Sequence, residues 1–245
     1  MCDLSQFPAS PTCNCGARTS ASGPTSALAR RRFLALGVTA GLAGASGLAA
    51  PRAWAQTTIS PDEALQRLVA GNKRYAAGDM TSLKDNLALM RAHTVEKQEP
   101  FAALLSCADS RVPVEIVFDQ NIGQLFVTRV AGNVATTEMI ASLEYGAAVL
   151  GTRVIMVLAH QGCGAVKAAV GGKSVPGQIS ALYAPLQPAV EQGGHDYEAT
   201  AKLNARIQAG LLGTASPVLA ELIGKGQLKI VPAYYSLDSG LVSLL

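Results

Sequence analysis

Cys107, Asp109 and Arg111 follow one short apolar run, and His160 and Cys163 follow another further along the chain. Two thiols, an imidazole and a carboxylate make up a donor set that zinc accepts in tetrahedral geometry. The runs that lead to them, residues 101–105 and 154–158, are of strand length and carry no charge. That pattern predicts strands buried on both faces of a parallel sheet. Ligands of such sheets bind beyond the carboxyl ends of the strands, so two neighbouring strand ends can deliver all four donors to one place. Arg111, two residues past Asp109, is placed to fork onto that carboxylate. Elsewhere this would be an ordinary surface ion pair; the immediate neighbourhood of Cys107 argues against that reading.

The surrounding sequence supplies elements to hold these strands. Ser60, Pro61 and Glu63 read as a helix start with a capping box, and the helix is expected to run to Ala77 and stop at Gly78. A less regular helical segment covers 83–94. A short helix at 113–119, a strand at 124–130 and a helix from Thr136 to Gly151 follow, the last burying Met139, Ile140, Leu143, Ala147 and Leu150. Further helices are expected at 165–170, 179–186, 199–212 and 217–223, then a strand at 228–231 and an edge strand at 241–245. The alternation predicts an α/β fold: a mostly parallel central sheet flanked by helices, with an N-terminal helical arm.

With 245 residues, 49% hydrophobic and 15% charged, the chain can bury one large core or two small ones. The net charge of +3 belongs to residues 1–55, where five arginines face one acid; the remaining 15 basic and 16 acidic residues leave a net charge of −1. Nothing in that body attracts nucleic acid. Arg30-Arg31-Arg32-Phe33-Leu34, an apolar stretch and Ala53-Trp54-Ala55 have the order of a twin-arginine-type export signal. Four glycines in that stretch argue against a permanent span. Residues 1–55 are therefore expected to be removed, and 56–245 to act as a single domain in the periplasm or outside the cell, free of the membrane. Cys2, Cys13 and Cys15 leave with the leader. The two remaining cysteines of an exported chain would ordinarily read as a disulfide, but Asp109 and His160 shift the reading to a metal.

Cys107-Ala108-Asp109-Ser110-Arg111 and His160-Gln161-Gly162-Cys163 resemble the paired motifs of the β-class carbonic anhydrases. The similarity extends to Gln98-Glu99-Pro100, to Phe126-Val127-Thr128-Arg129 with Gly132-Asn133, and to Ser142-Leu143-Glu144-Tyr145. It runs from about Ser60 to the C-terminus. The resemblance implies Zn2+ held by Cys107, His160 and Cys163, with Asp109 either a further ligand or paired with Arg111. It implies reversible hydration of carbon dioxide to bicarbonate and a proton, with Asp109 and Arg111 as the catalytic pair. Gln98 would bind substrate, and Phe126 and Tyr145 would line the pocket, partly across the interface of a homodimer or homotetramer. Ala131 stands where that family often has a branched residue, which keeps open hydrolysis of carbonyl sulfide or carbon disulfide on the same scaffold. Other readings are a Cys–His nucleophilic hydrolase and a structural-zinc interaction module closed by Asp109. His93 and His195 receive no role.

Overall fold

Strand β1 (Ala102–Ser106) lies inside the sheet, and all five of its residues are buried. This computed structural model describes residues 57–82, 95 and 97–245. The expected leader, and the helix expected over 83–94 with His93, lie outside the described residues. The sheet has the order β2-β1-β3-β4-β5, with β2 Leu125–Arg129, β3 Val154–His160, β4 Lys229–Tyr235 and β5 Val242–Leu244. The first four strands are parallel and β5 pairs antiparallel to β4. Ser106 pairs with Leu158, so the chain leaves β1 at Cys107 level with the last residues of β3.

Side chains alternate across β1 and β3 into two separate cores. Ala103, Leu105, Ile155 and Val157 face one, Ala102, Leu104, Val154, Met156 and Leu158 the other. Both faces are thus covered, which explains why residues 102–105 and 154–159 are all apolar. One cover contains α3 (Thr137–Glu144), α5 (Tyr183–Gly193), α6 (Tyr197–Ala215) and α7 (Pro217–Gly224), which contribute Leu143, Leu186, Leu212 and Leu219. α4 (Gly164–Gly171) adds Val166 to the same side. The other contains α1 (Pro61–Ala77), which contributes Leu68, and α2 (Val114–Val117). Among the described residues no single helix is long and apolar enough to cross a membrane.

Several expectations need correction. At α1, Ser60 Oγ accepts from Glu63 N–H at 3.2 Å, but the Glu63 carboxylate takes Arg67 instead of returning to Ser60, so the capping box is half made. The helix expected to reach Gly151 becomes a π turn over Tyr145–Val149, and Met139 and Ile140 are half-buried. Gly146 in that turn packs on the Phe126 ring, where a Cβ would come within 3.0 Å. The segment 179–186 is a 3-10 turn (Gly177–Leu182) followed by α5, which continues through Pro188 because burial of Leu186 and Ala189 outweighs the lost backbone donor. β4 extends to Tyr235 through Pro232, whose carbonyl accepts from Leu245 on the outer side of the strand. No inward ladder donor is therefore missing.

One buried acid, unremarked in the sequence, fastens α1 to α2. Asp119 adopts φ 45° and is 3% exposed. Its carboxylate accepts from Ser82 N–H at 2.8 Å, Thr81 N–H at 2.9 Å, Thr81 Oγ1 at 3.0 Å and Arg74 Nε at 2.5 Å. Burial pushes its pKa up, but the Ser82, Arg74 and Thr81 donors outweigh that and hold it below the usual carboxylate range. A depressed native pKa stabilises the fold above the unfolded value near 4 and loses that contribution as the pH falls further. Asp119→Asn, which tolerates the positive φ, is expected to cost about 2 kcal/mol at neutral pH. It should also flatten the loss of stability below about pH 4, as read by denaturant unfolding across pH.

Candidate metal centre

Cys107 is the first residue past β1, His160 the last of β3, and Cys163 immediately precedes α4. All three are buried, and their donor atoms lie within 4.8 Å of one another. The two sulfurs are 3.9 Å apart and unbonded. Tetrahedral zinc with Zn–S of about 2.3 Å separates two thiolates by about 3.8 Å, so the pair is already at ligand spacing. His160 Nδ1 is 2.9 Å from the Gln161 carbonyl; donating there leaves the lone pair on Nε2. Among the described residues Nε2 is fully buried without a hydrogen-bond partner. A buried imidazole nitrogen facing two sulfurs fits a soft divalent cation, and zinc matches the donor set.

The sulfurs are electrostatically unequal. Cys107 is held below the ordinary thiol range, chiefly because Cys163 donates to it, against the opposing effect of burial. The Gly132 and Asp109 backbone amides assist. Cys163 is pushed up, first by Cys107 and then by burial. The contact between the sulfurs favours one thiolate beside one thiol, and burial opposes a second charge. The Ala165 and Val166 backbone amides at the start of α4 act on Cys163 in the opposite sense.

Asp109 lies beside this group with its carboxylate turned onto Arg111. Arg111 Nε donates to Oδ1 at 2.9 Å and Nη2 to Oδ2 at 2.8 Å, and the Arg111 backbone N–H adds a third bond at 2.9 Å. Those donors, the Arg111 side chain foremost, hold Asp109 well below the usual carboxylate range. Oδ2 stands 3.8 Å from His160 Nε2. Arg111 Nη2 also reaches the Gly162 carbonyl at 3.3 Å, linking the two motif loops. The structure thus pairs Asp109 with Arg111.

Phe126 on β2 and Tyr145 in the π turn meet each other, with ring centroids 6.2 Å apart. Tyr145 is 43% exposed, and among the described residues β2 has no strand on its outer side. Gln98 is exposed in the segment before β1, and among the described residues no hydrogen bond joins it to the three donors. Three contributors carried no role in the sequence reading although each lies in a quoted motif. Gly132 donates its N–H to Cys107 Sγ at 3.3 Å. Arg129 donates to the carbonyls of Cys107 and Asp109 at 2.9 and 2.6 Å. Gln161 Oε1 accepts from Leu237 N–H at 2.9 Å and its Nε2 donates to Asp238 at 2.6 Å, tying the metal loop to the C-terminal turn.

A carbonic anhydrase family model matches residues 102–242. Carbonic anhydrase 2 of Mycobacterium tuberculosis is 34% identical over 189 residues, covering 74% of this chain and 91% of that protein. The β-carbonic anhydrase of Coccomyxa, solved in complex with acetazolamide, superposes with a TM-score of 0.58 at 25% identity, over 77% of this chain and 87% of that one. A tetrameric β-carbonic anhydrase from Sordaria macrospora shares the fold with a TM-score of 0.59 at 19% identity, over 75% and 97%.

The unequal sulfurs make a testable demand. Zinc binding to the metal-free protein should release protons, because at least one thiol of the buried pair stays protonated until the ion arrives. Calorimetry in buffers of different ionisation enthalpy measures this; heats independent of buffer would contradict it.

Proposed function

The chain belongs to the β-carbonic anhydrase family, and from that premise we propose that it interconverts carbon dioxide and bicarbonate at a zinc ion held by Cys107, His160 and Cys163. The observation that carries this reading is the convergence of two unbonded sulfurs and an unpartnered imidazole nitrogen, with the nearest carboxylate withheld by an arginine. Zinc in such a site supplies Lewis acidity that brings the pKa of water at its open position to about 7.

The protein's own part is to keep that position open and polar. Arg111 occupies both oxygens of Asp109 and so prevents the carboxylate from closing the site. Held ionised, Asp109 accepts a hydrogen bond from the reacting water and fixes its orientation. A closed structural site would require Asp109 to abandon three hydrogen bonds, which disfavours the interaction-module reading. The Gln98 amide is assigned to a substrate oxygen, and Phe126 with Tyr145 to a dry wall of the pocket. An assembly of at least two copies is part of this reading, supported by the β2 edge, which among the described residues has no strand on its outer side, and by the exposed Tyr145 ring. So is export through the twin-arginine-type leader, with the product of cleavage starting at Gln56.

Carbon dioxide hydration followed by stopped flow should disappear on chelation and return with zinc; activity that survives chelation would favour a cysteine nucleophile. Asp109→Asn is expected to retain zinc and lose about 100-fold in kcat/KM. Arg111→Ala should lose at least about 10-fold by freeing the carboxylate, while unchanged turnover would remove the switch from the mechanism.

A further inference from the structure

Asn204 and Gln208 sit on the sheet-facing side of α6 with 0% and 1% exposure. Two buried amides one turn apart are costly unless their polar atoms are met. Asn204 Nδ2 donates to the Gly132 carbonyl at 2.8 Å, and Gln208 Oε1 accepts from Ala135 N–H at 2.9 Å. Gln208 Nε2 donates to Asn204 Oδ1 and to the Pro185 carbonyl, both at 3.1 Å. Both amides are therefore oriented, Asn204 by Gln208 and Gln208 by two backbone groups.

The peptides they hold belong to the turn between β2 and α3. It is the same turn whose Gly132 N–H points at the Cys107 sulfur. Gly132 has φ 80°, and a Cβ there would lie 3.3 Å from both Ala165 and Leu186. Glycine is thus required at the point where the N–H leaves for the sulfur, and glycine supplies no stiffness of its own. The amides of α6 supply it, through hydrogen bonds to the backbone on either side of the turn.

We propose that Asn204, oriented by Gln208, is a positioning residue for the metal: it holds the turn so that Gly132 N–H remains on the Cys107 sulfur, and so sets how strongly that sulfur donates to the ion. Hydrogen bonds beyond the ligands govern ligand basicity and metal affinity in this way. The proposal rests on the metal reading above.

The full chain loaded with cobalt(II) provides a readout apart from turnover, the sulfur-to-cobalt charge-transfer absorption. Asn204→Leu and Asn204→Ser should move that band to longer wavelength, since a sulfur relieved of its N–H donor gives up charge more easily. Zinc affinity, by competition with a chelator, should fall about tenfold. Gln208→Met should shift the band in the same direction by a smaller amount, and it decides the question if the Asn204 variants do not fold. Asp119→Asn, which weakens the fold elsewhere, should leave band and affinity unchanged. Folded Asn204 or Gln208 variants with the wild-type band and wild-type zinc affinity would overturn the proposal and leave the amides as plain turn supports. A wild-type chain that takes up neither cobalt nor zinc would instead overturn the proposed function, and this inference with it.

Discussion

Two sulfurs buried 3.9 Å apart cannot both carry charge in a dry interior unless a cation lies between them. That constraint explains much of what surrounds the pair. Backbone amides of Gly132 and Asp109 converge on Cys107, and the start of α4 on Cys163. The third donor, His160 Nε2, is left bare by a hydrogen bond on the opposite side of its ring. Each arrangement is expensive in isolation, and a single divalent ion would satisfy all of them together.

The fold brings the donors together through strand register. Ser106 opposite Leu158 places the exit of β1 next to the end of β3, and the left-handed Gly162 turn brings Cys163 back towards the same point. Because both strands are covered on both faces, neither can slip by one residue without turning its core side chains to the wrong layer. Precision at the site therefore derives from the two cores. Arg111 adds a second level of control, since its hold on both Asp109 oxygens and on the Gly162 carbonyl makes one guanidinium responsible for the carboxylate's position and the spacing of the loops.

The parts of this arrangement that sequence revealed are those written as uninterrupted patterns. The charge-free runs before Cys107 and His160 marked β1 and β3, and the Cys, Asp, Arg and His spacing marked the donors, because few other uses require those types at strand ends. Single polar residues with tertiary partners were not legible. Asn204, Gln208 and Asp119 look like solvated positions until the groups they satisfy, on segments distant in the chain, are known. The same applies to Pro232 and Pro188, which signal an end to strand or helix but are tolerated where an outward-facing edge or a buried face permits it. The π turn at Tyr145 depends on how closely Gly146 approaches Phe126, a contact between elements that local sequence does not encode.

The central claim, three protein donors on one ion with room for solvent, is tested most directly by zinc K-edge X-ray absorption on the purified chain. It predicts close to one zinc per chain, with two sulfur neighbours at about 2.3 Å and two lighter nitrogen or oxygen neighbours at about 2.0 Å. A chain lacking zinc, with Cys107 and Cys163 joined in a disulfide, would contradict it.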